Sequence, residues 1–547
     1  MEKQDLSHYP ALNVLIIDDH TLVHSTIKRT LFDLGITNTF CASNAFYALR
    51  LCEEYKFHIV ICSFNVNSDK DGFHLLEELK FKGYVSKRTV LIFLSADTEE
   101  ALVNSVAELQ PDDFWAKPLN HHQIETRLAY TLDIKKTLYN VYQAVDDKEY
   151  SKVVYFVERH LLNNKLKKYF PHLLRMKGEA LLALREFEDA EAFYRELLET
   201  NKQSWVHLGF VRALIKQDKI EEIEDLLLTL QERIDTRFAT YDLLAQYHIE
   251  HQAYEQAYDE IKKASALSPR NIERHKKLWD LARLTQDFEG QFVATRNMAK
   301  YAKNSIHESP EMYLHVIRSG IDFASTLSDG QSTKVIQQVE KSITDLEKSG
   351  FELKSIKEQM QVIQARLHNV KEQRRLAERL VDTHVSLQVN PSLEDNLDKV
   401  KVFHELGRRE EAMILLDAVQ NQVTSDCLTG QVVSKYVEHE VEQRGEVHFT
   451  AKQLNNMAFQ FFQRNRFDSA LKSLSQALQI TPKSARVMLS MLKVLVAINR
   501  QEGLDVEQKQ LAEELVEILS QAELNEKQQQ SYQALADELV VKLGVKA

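Results

Sequence analysis

The sequence predicts an α/β domain over residues 1–132 and an all-α region over residues 133–547. Up to residue 132, short and almost wholly apolar runs alternate with helical patterns, which is typical of a parallel sheet covered by helices on both faces. Beyond it the alternation ends, and nearly every segment has helical periodicity. The chain holds only 14 Gly and 8 Pro in 547 residues. That composition favours a mostly helical protein and excludes collagen-like and low-complexity folds.

The bulk properties exclude several classes of function. A net charge of −12 argues against broad binding of a nucleic-acid backbone, which requires clustered lysines and arginines. The N-terminus lacks the apolar core of a signal peptide, and no apolar run approaches the roughly 18 residues of a membrane span. None of the cysteines has CxxC spacing, so we expect reduced structural thiols in a cytoplasmic protein. They are Cys41, Cys52, Cys62 and Cys427.

The first domain is predicted to contain five strands separated by helices. Polar residues lie at the ends of four of these strands: Asp18 and Asp19, then Ser63, Ser95 and Lys117. Because the carboxyl ends of parallel strands meet at one edge of a sheet, we expect these side chains to form one site. The predicted strands are 13–17, 39–42, 58–64, 89–94 and 113–116, and the helices between them are 22–34, 45–55, 73–82 and 99–108.

The order and spacing of these residues resemble the receiver domain of two-component response regulators, which has a flavodoxin-like, doubly wound sheet. The resemblance covers nearly all of residues 11–132. It implies that Asp18 and Asp19 help to hold Mg²⁺, that the hydroxyl of Ser95 contacts a phosphoryl group, and that Lys117 supplies a cation. It also implies a switch aromatic at Phe114, a metal-facing backbone carbonyl at Asn65 and a helix opened by Asp71-Gly72.

One residue departs from the family pattern. Ser63 stands where the family has the aspartate that accepts the phosphoryl group, and a hydroxyl cannot form an acyl phosphate. We therefore predict that the domain accepts no phosphoryl group and binds Mg²⁺ weakly at most, with no other cofactor. Asp69 and Asp71 are less favoured acceptors, because both are expected on a loop beyond the strand end. Lys117 is expected to form a salt bridge with Asp19.

The all-α region contains an internal repeat. Segments 238–269 and 451–482 align without a gap and share small residues, an aromatic and a closing proline. They resemble the tetratricopeptide repeat, in which small residues let two helices approach and aromatics fill the space to the next unit. A third copy at 172–199 carries Gly178 and Tyr194 and is followed by Gly209. Weaker copies are predicted at 137–170, 272–305 and 394–420. The matched positions are Ala245/Ala458, Tyr254/Phe467, Ala257/Ala470, Ala264/Ala477 and Pro269/Pro482.

A segment rich in Gln, Glu, Lys and Arg separates the repeats. Residues 333–386 are predicted to form one or two long helices, broken near Ser349-Gly350. They form either an intramolecular hairpin or a coiled coil that makes a homodimer. The predicted domains are therefore a receiver-like domain at 1–132, repeats at 133–310, a connector at 311–390 and C-terminal repeats at 391–547.

The resemblances imply a non-catalytic regulator of a bacterial two-component phosphorelay. No nucleophile–base pair or metal-ligand cluster occurs in the repeats, so we expect no enzyme. The first domain would dock on a sensor histidine kinase or a phosphotransfer protein, the repeats would bind other proteins, and phosphotransfer would be inhibited or scaffolded. Two alternatives are a phosphorylation-competent response regulator with a protein-binding output, and a repeat scaffold unrelated to phosphorelays.

Overall fold

The protein is described from a computed structural model that covers residues 12–327, 329–423, 428–446, 451–481, 484–501, 503–522, 524 and 526–543. Cys427 and Pro482 lie outside the described residues. The chain divides into two compact units. The first unit consists of residues 1–274 and 301–308, and the second consists of residues 275–300 and 309–547.

The first unit begins with a parallel five-stranded sheet of order β2-β1-β3-β4-β5. Ile17 lies beside Ala42 on one side and Cys62 on the other, and Ser63 lies beside Leu94. The polar residues that follow these strands therefore meet at one edge, as the sequence predicts. The strands are β1 (Val14–Ile17), β2 (Thr39–Ala42), β3 (Ile59–Ser63), β4 (Val90–Ser95) and β5 (Asp113–Ala116).

Helices cover both faces of the sheet. Leu15 and Ile17 pack with one set of helices, whereas Val14 and Ile16 pack with the other, because side chains alternate along a strand. The predicted doubly wound α/β fold is confirmed. α5 continues through residue 132 without a break. The helices are α1 (Thr21–Asp33), α2 (Ala45–Glu54), α3 (Gly72–Phe81), α4 (Glu100–Glu108) and α5 (His121–Thr137).

The rest of the first unit consists of helical hairpins. The buried ring of Tyr194 packs against two glycines. A Cβ atom on Gly178 would lie 2.3 Å from its hydroxyl, and one on Gly209 would lie 2.2 Å from its ring. The small and aromatic positions of this repeat therefore pack as the sequence predicts. The helices are α6 (Tyr139–Asp146), α7 (Tyr150–Leu161), α8 (Phe170–Ala183), α9 (Phe187–Thr200), α10 (Ser204–Ile215), α11 (Glu224–Glu232), α12 (Arg237–Glu250) and α13 (Tyr254–Leu267).

The second unit is also helical, and α14 (Ile272–Leu284) and α15 (Phe288–Ala302) contribute residues to both units. Ala470 and Ala477 are fully buried, in agreement with the aligned repeat at 451–482. The remaining helices are α16 (Pro310–Thr326), α17 (Asp329–Lys348), α18 (Lys357–Val370), α19 (Arg374–His384), α20 (Leu393–Glu405), α21 (Arg409–Gln422), α22 (Leu428–Glu446), α23 (Ala451–Gln463), α24 (Phe467–Ile480), α25 (Ala485–Gln501), α26 (Val506–Gln521) and α27 (Glu526–Leu543).

Residues 333–386 differ from the expected one or two long helices, because they contain most of α17 and all of α18 and α19. The break at Gly350, where φ is +79°, agrees with the sequence. A second break lies at Glu372, whose φ of +62° places a residue other than glycine in the left-handed region. With neither glycine nor proline there, the sequence gives no signal for this turn. Ala365 and Ala377 are buried between α18 and α19, so these two helices form a hairpin, whereas α17 pairs with α16.

None of the helices in the described residues combines the length and apolar character needed to cross a membrane.

Candidate functional site

The site at the carboxyl edge of the sheet is organised around Asp18, which follows β1 and is fully buried. Its Oδ2 accepts a hydrogen bond from Lys117 Nζ at 2.6 Å, and its Oδ1 accepts the backbone N–H of His20 at 2.8 Å. The expected salt bridge between Lys117 and Asp19 is wrong. Successive residues after a strand point in different directions, and here Asp18 points inward while Asp19 is part-exposed.

Ser63 ends β3 beside Asp18 and is buried. Its Oγ accepts a second hydrogen bond from Lys117 Nζ, at 3.0 Å. The backbone is tightly held here, because a Cβ atom on Gly72 would lie 1.7 Å from the carbonyl oxygen of Ser63. Gly72 also donates its N–H to the carbonyl of Phe64 at 2.8 Å. The serine hydroxyl is therefore fixed at the acceptor position, bonded to the lysine.

The other predicted site residues, Ser95, Phe114 and Asn65, do not bond to Lys117 through their side chains in the structure described. Ser95 is buried, and its Oγ accepts the backbone N–H of Asp97 at 3.0 Å, which orders the loop before α4. Phe114 stacks on Phe93 with ring centroids 6.1 Å apart. Asn65 is exposed on the loop after β3. The hydroxyl of Ser95 thus bonds its own loop, whereas Lys117 bonds both Asp18 and Ser63.

Three groups at this edge have atoms that a metal ion could bind. Ligand atoms of Asp18, Asp19 and His20 lie within 4.8 Å of one another. Mg²⁺ prefers an octahedron of oxygen ligands, usually from one or two carboxylates and several waters. Both oxygens of Asp18 already accept hydrogen bonds, and Ser63 offers a neutral hydroxyl in place of a third carboxylate. The residues present therefore fit Mg²⁺ weakly.

Asp71, considered above as an alternative acceptor, has other roles. Its Oδ1 accepts the backbone N–H of His74 at 2.9 Å and so caps the N-terminus of α3. Its Oδ2 pairs with Arg270 Nη1 at 2.7 Å. Asp69 is exposed on the same loop, and its carbonyl accepts a hydrogen bond from Asn304. Neither residue is among those bonded to Lys117.

The fold of the first domain agrees with comparisons to known proteins. The family model of the response regulator receiver domain matches residues 14–129. Residues 14–129 form a response regulator receiver domain. A probable chemotaxis protein CheY of Rhizobium etli is 26% identical over 117 residues, which are 21% of this chain and 89% of that protein.

Solved structures are also similar to parts of the chain. The BeF3-activated DrrB receiver domain is 19% identical and covers 22% of this chain and 97% of its own, with a TM-score of 0.20. The APC/C hetero-tetramer Cut9–Hcn1 is 13% identical and covers 75% of this chain and 87% of its own, with a TM-score of 0.31.

Within the first unit, helical repeats cover one side of the receiver. Side chains of α3 and α4 meet residues of α12, α14 and the segments that flank α14 and α15. In four acid–base pairs, the receiver always supplies the acid. These pairs, named here the receiver–repeat contact, are Asp71–Arg270 at 2.7 Å, Glu77–His307 at 3.1 Å, Glu108–Arg274 at 2.5 Å, and Glu100–Arg237 with Nε–Oε1 at 2.9 Å.

The receiver–repeat contact was not predicted from the sequence. Neutral hydrogen bonds add to it: Asn104 Nδ2 donates to the carbonyl of Leu267 at 3.2 Å, and the hydroxyls of Ser105 and Ser268 lie 3.3 Å apart. The signal in the sequence was that Arg270 directly follows Pro269, which closes a repeat, and that Arg274 lies four positions further on.

Apolar side chains lie exposed at the edge that carries Asp18 and Ser63. Leu22 opens α1 and Phe46 opens α2, and these side chains are 79% and 77% exposed. Both helices begin at the carboxyl ends of strands, so both residues lie at the edge of the site. Single exposed apolar residues are ordinary, but two beside a buried polar site form a surface suited to a partner.

The second unit contains a buried cluster of charges beside a groove of about 1210 Å³. Arg366, only 2% exposed, pairs at 2.6 Å with each of three carboxylates, on Asp322, Asp398 and Glu405. Lys401 also pairs with Asp322 at 2.6 Å. Burial alone would raise the pKa of Asp322, but Lys401 and Arg366 hold that pKa well below its ordinary value. The carboxylate therefore stays charged within the helical core.

Proposed function

We propose that the protein is a non-catalytic regulator of a bacterial two-component phosphorelay. Its receiver domain binds a sensor histidine kinase or phosphotransfer protein without accepting the phosphoryl group, and its helical repeats bind other proteins. It acts by inhibiting or scaffolding phosphotransfer from that protein to its own response regulator.

The hydrogen bond from Lys117 to the hydroxyl of Ser63 carries this proposal. In phosphoryl transfer to a receiver the nucleophile is a carboxylate, and a neutral serine hydroxyl bonded to a lysine has no base to activate it. The carboxylate of Asp18 accepts a hydrogen bond from the same lysine and so is not free to remove the hydroxyl proton. The pocket keeps the shape of a receiver site and lacks its reactive group.

The open surface of the receiver supports docking at the edge of the site. Leu22 and Phe46 offer exposed apolar area at the starts of α1 and α2, whereas α3 and α4 are held by the receiver–repeat contact. A partner that presents a helix bearing a phosphohistidine would meet this open edge. Burying one such leucine contributes about 2 kcal/mol, enough to change affinity more than tenfold.

The repeats supply the second binding surface. Paired helices of this kind form grooves that accept peptides or helices of a partner. The groove of the second unit is lined by charged side chains such as Glu405 and Glu440 together with apolar ones such as Met491 and Leu511, so it suits an amphipathic segment. We propose that this groove holds the protein that the regulator brings to the kinase or keeps away from it.

A phosphotransfer competition assay tests the proposal. Sensor kinases of the source cell are autophosphorylated and mixed with their own response regulators, with and without the full-length protein. At least one kinase is expected to lose or redirect phosphotransfer while this protein stays unlabelled.

The variant Leu22→Glu should weaken that effect about tenfold or more. Phe81→Glu is the matched control, because Phe81 is 77% exposed but ends α3 and so lies at the opposite edge of the sheet. If the wild-type protein alters transfer from none of the kinases, the proposed docking is wrong. The repeats would then be the binding part of the molecule.

A further inference from the structure

Arg270 differs from the other basic residues of the receiver–repeat contact, because it reaches the strand end that carries Ser63. Its guanidinium lies 5.0 Å from the ring centroid of Phe64, the residue that follows Ser63. It also lies 5.3 Å from the ring of Phe73 and pairs with Asp71. A guanidinium at this distance from an aromatic ring is attracted to it. One side chain from the repeats therefore holds both ends of the loop between β3 and α3.

The loop held by Arg270 is rigidly linked to the site. Phe64 donates its N–H to the carbonyl of Leu94 at 2.8 Å, and Gly72 donates to the carbonyl of Phe64. Gly72 packs so closely on the carbonyl of Ser63 that no side chain fits between them. A displacement of Ser63 is therefore transmitted to Phe64 and Asp71, two of the three residues that Arg270 contacts.

We infer that Arg270 is a positioning residue that couples the Ser63 site to the helical repeats. A change at Lys117 or Ser63 shifts the β3–α3 loop, and Arg270 carries that shift into the segment after α13. Such coupling is reciprocal, so a protein bound to the repeats of the first unit also alters the site. The receiver and the repeats of the first unit then respond to binding as one coupled structure.

This inference goes beyond the proposed function and does not depend on it. It concerns the link between a pocket and a repeat within one unit, and it holds whether or not a kinase docks at Leu22. Its experiment uses the protein alone, so it can fail while the competition assay succeeds, and the reverse is also true.

Hydrogen exchange of the full-length protein provides the first test. Arg270→Ala is expected to raise the exchange rate of the Phe64 and Gly72 amides about tenfold, the factor expected for losing one charge-assisted hydrogen bond. Arg237→Ala is the matched control, because it removes another pair of the receiver–repeat contact without touching Phe64 or Asp71. Its effect should stay within residues 96–104. Equal effects of the two variants on Phe64 and Gly72 would overturn the inference.

A cycle of variants separates coupling from simple stabilisation. Lys117→Gln, which removes the ammonium from the site, should change exchange both at residues 59–66 and at residues 265–274. In the Arg270→Ala background the distant change should disappear while the local one remains, because independent sites add and coupled sites do not. Arg270→Lys, which retains the charge, should restore part of the distant response. A Lys117→Gln effect confined to residues 59–66 in the wild-type background would contradict the coupling.

Discussion

Lys117 and Asp18 form a 2.6 Å ion pair at the centre of the receiver, and the same ammonium reaches the hydroxyl of Ser63. Asp18 is fully buried, so its charge needs a partner within the fold. In a site with three carboxylates a metal ion could supply that positive charge. With serine at position 63, one lysine is enough to balance the single buried carboxylate. The pair therefore balances the buried charge of Asp18 within the protein itself.

The first prediction concerns this pair and stability. Lys117→Met should lower the free energy of unfolding of the receiver by about 3 kcal/mol, because it leaves the charge of Asp18 buried without a partner. Adding Asp18→Asn should recover part of the loss by removing that charge. Urea-dependent hydrogen exchange of the β1 amides measures both effects. Lys56→Met, at an exposed lysine, is the control. A loss no larger than that of the control would mean that the pair does not stabilise the fold.

The second prediction concerns Mg²⁺. Ser63→Asp adds a carboxylate beside Asp18, and an oxygen-rich site binds the ion more tightly. Because a ligand stabilises the state that binds it, Mg²⁺ should raise the melting temperature of Ser63→Asp more than that of the wild-type protein. Ser63→Ala should behave like the wild type, since its side chain offers no ligand. A similar, strong stabilisation of all three proteins would show that Asp18 and Asp19 bind the ion without help from position 63.

The third prediction concerns the buried charges of the second unit. Arg366→Met removes a cation shared by Asp322, Asp398 and Glu405, and breaking such a buried cluster costs about 3–5 kcal/mol. Thermal unfolding with hydrogen exchange of α16 and α20 would report the change. The control is Arg175→Met, because Arg175 and Glu179 form an exposed pair of the kind worth about 0.3–0.5 kcal/mol. An Arg366 variant as stable as this control would contradict the role given to the cluster.

The fourth prediction concerns pH. The hydrogen bond to Glu77 raises the pKa of His307, and Glu273 acts in the same direction against the opposing effect of burial. A raised pKa means that the charged form is stabilised by folding. The contribution is therefore full below the ordinary value of about 6.5 and is lost as pH rises through the higher folded value.

Exchange protection of the α3 amides should accordingly fall as the solution becomes alkaline. His307→Gln should remove that part of the pH dependence, whereas His122→Gln, at an 83% exposed side chain, should not. An unchanged pH profile in His307→Gln would show that the histidine does not contribute to the receiver–repeat contact.

Much of the receiver could be predicted from the sequence because its signals are local. Continuous apolar runs marked the strands, and the predicted span of β5, 113–116, is the one observed. The same runs placed Asp18, Ser63, Ser95 and Lys117 at one edge. Whether Lys117 pairs with Asp18 or with Asp19 depends on the directions of these two adjacent side chains, and only the folded backbone determines those directions. The expected salt bridge between Lys117 and Asp19 was therefore wrong, although the site lies at the predicted edge of the sheet.

The repeats were predictable where small and aromatic residues recur, as at Gly178, Tyr194 and Gly209. The turn at Glu372 was not, because a glutamate there adopts a backbone conformation that the sequence usually marks with glycine. The receiver–repeat contact could not be predicted from the sequence either. Glu108 and Arg274 are 166 positions apart, and each alone is indistinguishable from a charge on a solvated helix. Long-range pairing of this kind becomes visible only once the helices are placed.

The central claim is that this receiver binds partners without becoming phosphorylated. Incubation of the full-length protein with acetyl phosphate and Mg²⁺, followed by intact-mass measurement, tests it most directly. The account predicts no added phosphoryl group on the wild-type protein and a hydroxylamine-labile one on Ser63→Asp. A hydroxylamine-labile phosphoryl group on the wild-type protein would contradict the account, because it would show that another carboxylate, such as Asp69 or Asp71, serves as the acceptor.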